Sequence, residues 1–220
     1  MYSKDVFDSR EWRGVKQWLN EVFFIFTDQQ LQMLIEEKII GNHFPYDTRE
    51  EKEILAHINR LFHRINRIPG IVCEAEWDHF GSGYASFVEF FCYRTRDCIR
   101  IDEKNGLREI NIKGIILDIS RLTSVAIMGE DERQRTICIE TDEEMSSGYG
   151  SILDSPNSLV VGEELATLAI QLQKALQEFD YQLLSVNEIS EPLMFQTKIP
   201  TIYRNARQYL VMDAIFYWED

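Results

Sequence analysis

The hydrophobic period of the chain changes at Pro69–Gly70, and that change limits the fold more than any other feature. Before it, apolar residues recur at spacings of three and four. After it, Ile71, Cys73, Ala75 and Trp77 alternate with Val72, Glu74, Glu76 and Asp78. A spacing near 3.6 sets side chains on one stripe of a helix, whereas a period of two sets them on one face of a half-buried strand. Helices followed by a run of strands point to an α+β fold. The expected organisation is a single domain over residues 1–220, with 1–69 a helical part and 70–220 the sheet-containing part.

Three helices are expected before the change. Asp8 and Ser9 offer caps for one running to about Phe26, with Trp12, Val15, Leu19 and Val22 on its inner face. Thr27 with Gln30 forms a capping box for a second helix, whose apolar residues are Leu31, Leu34, Ile35 and Ile39 and which Gly41 stops. Thr48 with Glu51 opens the third, which carries Ile54, Leu55, Ile58, Leu61, Phe62 and Ile65 on one stripe. Its acidic start and its basic end, Arg60, His63, Arg64 and Arg67, suit the helix dipole.

The later part reads as a mainly antiparallel sheet of several strands. A hairpin from Ile71 to Tyr93 pairs Cys73 with Cys92, Ala75 with Phe90 and Trp77 with Val88. Asn105–Gly106 suits a type I′ turn and pairs Ile101 with Ile110 and Ile99 with Ile112. Further strands are expected at Ile115–Ile119, Thr123–Met128, Arg135–Glu140 and Tyr181–Val186, and residues 141–158 read as a long loop or ragged hairpin. One long helix from Glu163, with Leu165, Leu168, Leu172, Ala175, Leu176 and Phe179 inward, packs on the sheet. The run Tyr209–Trp218 is apolar but for Asp213 and reads as a C-terminal strand buried on both faces. Asp213 is therefore the buried polar candidate, satisfied by an arginine or a backbone turn or, as the alternative, carrying a catalytic or binding role.

Charge narrows the function. The 220 residues carry 23 basic and 37 acidic groups, a net −14; residues 1–100 hold 13 and 16 of them, residues 101–220 hold 10 and 21. Such a field repels nucleic-acid backbones and anionic lipid and attracts basic proteins. With no apolar core of a signal segment near the N-terminus and no run of about 18 apolar residues, the chain is expected to be cytoplasmic and to cross no membrane. Cys73, Cys92, Cys98 and Cys138 form no CxxC pair, so free thiols are expected. No phosphate loop, nucleophile elbow, dinucleotide fingerprint or HExxH helix occurs, and no cofactor is expected.

Two constellations remain. Glu130, Asp131, Glu132, Asp142, Glu143 and Glu144, with Tyr149 beyond them, read as acidic flanks of a strand that form an acidic ridge with an aromatic anchor, a surface for a basic protein partner. Glu74, Glu76, Asp78 and Glu89, with His79 at the turn, read as oxygen ligands of a metal-assisted hydrolase. In general character, small, acidic and without a catalytic signature, the chain is similar to many bacterial immunity and antitoxin proteins. That likeness makes an inhibitor or regulator of a basic protein, such as a toxin, the leading expectation. The carboxylate hydrolase and a structural adaptor module are the alternatives.

Overall fold

Two strands of 14 residues each, β4 (Leu107–Ser120) and β5 (Val125–Cys138), form the spine of the protein and pair antiparallel over nearly their whole length. The computed structural model describes residues 26–78, 83–150, 152–203 and 209–219, with Tyr149 described by its backbone alone. The expected first helix, apart from Phe26, and His79 lie outside the described residues.

Around this spine the sheet has, among the described residues, seven strands. β1 (Ile71–Glu76) pairs with β2 (Phe87–Arg94), and β2 lies along the C-terminal half of β4. The N-terminal half of β4 pairs along that side with β3 (Cys98–Lys104), while β5 carries β6 (Glu144–Tyr149) and the short parallel strand β7 (Gln182–Leu183). The sheet is thus mainly antiparallel, as the alternating pattern predicts, but the strands expected at 115–119, 123–128 and 135–140 are parts of β4 and β5.

Side chains alternate between two faces along each strand, so the register assigns them. One face presents Cys73, Val88, Phe90, Cys92, Ile115, Leu117, Ile119, Ala126 and Met128, which share a core with α2 (Glu51–Asn66) and α3 (Ala166–Glu178). The stripe Ile54, Ile58, Leu61 and Ile65 of α2 is fully buried, as are Leu168, Leu172 and Leu176 of α3. Arg64 on α2 forms a bidentate pair with Glu178 on α3, at 2.7 and 2.9 Å. The buried His57 on α2 lies 3.1 Å from the carbonyl of Phe179 through its Nε2, and burial lowers the imidazole pKa. Both helices follow their sequence stripes. The cap of α2 differs, however: Glu50 is the boundary residue, and Thr48 sits in a preceding 3₁₀ turn where its hydroxyl accepts from the Glu50 amide.

The second face presents Phe87, Phe91, Tyr93, Ile112, Ile116, Val125 and Ile127, covered by Leu31 and Leu34 of α1 (Asp28–Ile35) and by the C-terminal segment. Thr27 and Gln30 cap α1 reciprocally, as their spacing predicts. The helix ends at Ile35 rather than at Gly41, and Glu37 has already turned to φ 58°.

The C-terminal run is the main correction. Val211 to Tyr217 is buried throughout, yet Val211–Ile215 is a helix, α5. Asp213, 3% exposed, accepts from the Leu210 amide at 2.7 Å and so satisfies a donor at the helix start. A segment buried all round carries no face pattern, so its apolar run suits a helix and a strand equally. The segment is stitched in by Ser86, whose hydroxyl donates to the Ile215 carbonyl and accepts from the Tyr217 amide, and by Tyr217, whose hydroxyl donates to the Leu34 carbonyl. Similarly, the expected strand at Tyr181–Val186 is only Gln182–Leu183, after which α4 (Val186–Ile189) begins.

Strand edges are treated unequally. The side-chain amide of Asn66 accepts from the Cys73 amide and donates to its carbonyl, at 2.9 and 3.0 Å, occupying the outer edge of β1 as a strand would. Both backbone groups of Cys73 therefore point away from β2, which makes Cys73 and Cys92 a non-hydrogen-bonded pair, with their sulfurs 3.2 Å apart and both thiols free.

Candidate functional site

The carboxylates picked out in the sequence fall into two places, one inside the fold and one at a bare end of the sheet. On the second face, Glu74 and Glu89 do point the same way, but each is held by an arginine from β5. Arg135 pairs with Glu74, which also accepts from the Tyr93 hydroxyl at 3.0 Å. Arg133 donates to Glu89 at 2.6 Å and to Asp131 at 2.8 Å. Its guanidinium lies 4.0 Å over the ring of Phe91. Gly114 makes room for that ring, since a Cβ there would come within 2.6 Å of Phe91 Cε2 and 2.7 Å of the Cys92 carbonyl oxygen.

Beside this network lies Asp118, directly opposite Glu89 in the register and 2% exposed, with one carboxylate oxygen buried and unpartnered. Burial, and then the charge of Glu89, push its carboxyl well above the usual range, while Arg133 opposes the shift. Glu89 is also raised, by burial, against the pull of Arg133. Tyr203 faces the same carboxylates, and its phenol is raised by burial and then by Asp118, Glu89 and Asp154. The pattern suits a structural core in which burial favours the neutral form of the Asp118 carboxyl. Among the described residues, no three His, Cys, Asp or Glu side chains are placed to share a metal ion. Asp78 lies past the end of β1 and is exposed.

The other place is the far end of the spine. Glu130, Asp131 and Glu132 are not loop flanks, as their charge suggested; they are inside β5, and only Glu132 is exposed. Asp131 is 2% exposed and committed to Arg133, so it is withdrawn from any contact surface. Glu130 accepts from the Gly162 amide at 2.9 Å, and Glu132 from the side chain of Asn111. Asp142, Glu143 and Glu144 are exposed, in the turn between β5 and β6 and at the first residue of β6. Asp142 adopts φ 58°, and the Cys138 amide donates to the Glu143 carbonyl at 2.8 Å, closing the turn. The Tyr149 side chain lies outside the described residues; its backbone pairs opposite Arg133.

At this end the sheet has outrun its helical layers. Ile112 is the last buried apolar residue on β4 toward the tip, and β3 is exposed along nearly its whole length. The Asn105–Gly106 turn forms as expected, with φ 54° and 78°. A bulge then inserts Ile101, so that Arg100 rather than Ile101 opposes Ile110, and Ile99 opposes Asn111 rather than Ile112. The expected apolar cross-strand pairs are therefore broken, and Ile99 and Ile101 are 57% and 50% exposed. With Leu107, Ile139 and Met145 they make up most of an exposed apolar set at the tip. A shallow groove of about 470 Å³ crosses this end, lined by Ile101, Asn111, Glu132, Gln134, Gly148 and Gly150.

Between 130 and 144 the chain has seven carboxylates and two guanidinium groups, and both guanidiniums are turned inward to Glu89 and Glu74. The exterior here keeps Glu132, Glu140, Asp142, Glu143 and Glu144, all exposed, while the neighbouring β3–β4 hairpin carries Arg100, Lys104 and Arg108. Sequence reasoning placed Asp142, Glu143 and Glu144 at the surface, where they lie, but paired Ile99 with Ile112 and Ile101 with Ile110, pairings that the bulge breaks. No protein-family model matches this chain, and neither a curated protein nor a solved structure matches it significantly. Among the described residues, no helix is long and apolar enough to cross a membrane.

Proposed function

We propose that the protein binds a basic protein partner through the acidic tip of its sheet, as an inhibitor or regulator of the kind that immunity and antitoxin proteins represent. The observation that supports this reading is the coincidence, at the end left bare by α2 and α3, of exposed apolar side chains with the exposed carboxylates Glu140, Asp142, Glu143 and Glu144, whose ion pairs are the 3.5 Å contact of Arg135 with Glu144 and the 3.8 Å contact of Arg108 with Asp142. Apolar residues provide the desolvated centre of a contact, and the surrounding charge steers and selects the partner. Asp142 has only a distant contact, 3.8 Å to Arg108, and is 84% exposed. Its charge is available to a partner.

The test is recovery of a binding partner with the tagged protein, compared with the variant Asp142→Asn/Glu143→Gln/Glu144→Gln. Retention at low salt, release at high salt and at least tenfold weaker binding of the variant are expected, with no change in melting temperature. Equal affinity and equal salt dependence for the two proteins would remove the tip from the interface.

A further inference from the structure

We infer that the partner contributes an extended basic segment that adds as a strand to the outer edge of β6; this inference rests on the acidic-tip reading above. Three features of the sheet lead there. The edges differ in how far they are closed. β1 is closed by the Asn66 amide, and β3 is interrupted by the bulge at Ile101 and carries Arg100 and Lys104, two devices that discourage edge pairing. β6 pairs with β5 on one side, and among the described residues no strand pairs with the other.

The second feature is the side-chain content of β6. After the extra residue Met145, which is 62% exposed, Ser146, Ser147 and Gly148 pair in regular register with Thr136, Arg135 and Gln134. They are exposed, small and free of proline and lysine. A strand with little bulk and no blocking residue leaves its outward amides and carbonyls open to another backbone. Gly148 adds no side chain to either face of the sheet beside that edge.

Charge is the third feature, and it selects the occupant. Glu140, Asp142, Glu143 and Glu144 are exposed where β6 begins, and Glu144 has an arginine only at 3.5 Å, in Arg135. A second copy of this chain brings its own excess of 14 negative charges to the contact. A segment alternating Lys or Arg with β-branched residues instead places cations beside these carboxylates while its backbone pairs with Ser146–Tyr149.

The probe is a seven-residue capped peptide alternating lysine or arginine with valine, compared with an acidic peptide of the same pattern and with two versions N-methylated on alternate sets of backbone nitrogens. We expect the basic peptide to bind and to slow amide exchange in Ser146–Tyr149, and one N-methylated set to bind at least tenfold more weakly than the other. Ser146→Pro and Ser147→Pro form a second arm. Adjacent residues of a strand point their amides in opposite directions, so one of the two variants should keep the melting temperature and lose the peptide. Binding that depends on Asp142, Glu143 and Glu144 but is indifferent to N-methylation overturns strand addition and leaves the acidic-tip reading standing. Failure of the basic peptide to bind overturns strand addition, and the recovered partner then tests the tip alone. Concentration-dependent dimerisation that protects the same amides names a second copy as the occupant and overturns the proposal.

Discussion

β4 and β5 each have two halves that differ more from each other than the two strands do. In one half, from Ile115 to Ser120 and from Val125 to Gly129, every residue is buried because helices or the C-terminal segment cover both faces. In the other, toward Leu107 and Cys138, the same two backbones keep their hydrogen bonds while losing their cover. Pairing alone therefore does not decide what a strand does. Cover converts one half into a core and leaves the other as a surface on which charge and bulges act.

Substitutions can break this comparison. The largest effect is expected inside the covered network: Arg133→Met leaves Glu89 and Asp131 without their cation and should cost about 3–5 kcal/mol in denaturant unfolding. Leu117→Ala, at a fully buried position, should cost about 2–5 kcal/mol by the same measurement. Asp118→Asn should act in the opposite direction. The folded state holds the Asp118 proton more tightly than the unfolded state does, so that stabilisation is present at acid pH and is lost as pH rises through the folded value. The variant should therefore be more stable than the parent at pH 8, close to it at pH 4, and show a flatter pH profile. At the uncovered end, Ile99→Thr should change stability by no more than about 0.5 kcal/mol. A cost there comparable to that of Leu117→Ala would mean that the tip is covered after all.

Much of the covered half was legible in the sequence. The stripes of α2 and α3 have enough residues to fix a period, and the pairs Cys73 with Cys92 and Ala75 with Phe90 follow from matching apolar faces. What escaped was whatever depends on partners distant in sequence. Glu74 and Glu89 look solvent-facing by alternation, and only the fold brings Arg135 and Arg133 to them. The helix at Val211–Ile215 was hidden by uniform burial, although Asp213, three residues after Leu210, is the spacing of a capping contact. At the tip, the acidic turn was legible from composition. The exposure of Ile99 and Ile101 was not, because one inserted residue redirects the strand.

The Asn66 amide that occupies the edge of β1 bears on assembly as well as on folding. A sheet with two open ends can be continued from molecule to molecule, each copy adding to the last, which is the geometry of a fibre. Here the β1 end is stopped by a side chain of the same molecule, so growth through that end would first have to displace two hydrogen bonds. Under the strand-addition proposal a guest at β6 is therefore not passed on through the β1 end, and the molecule acts as a cap rather than a link.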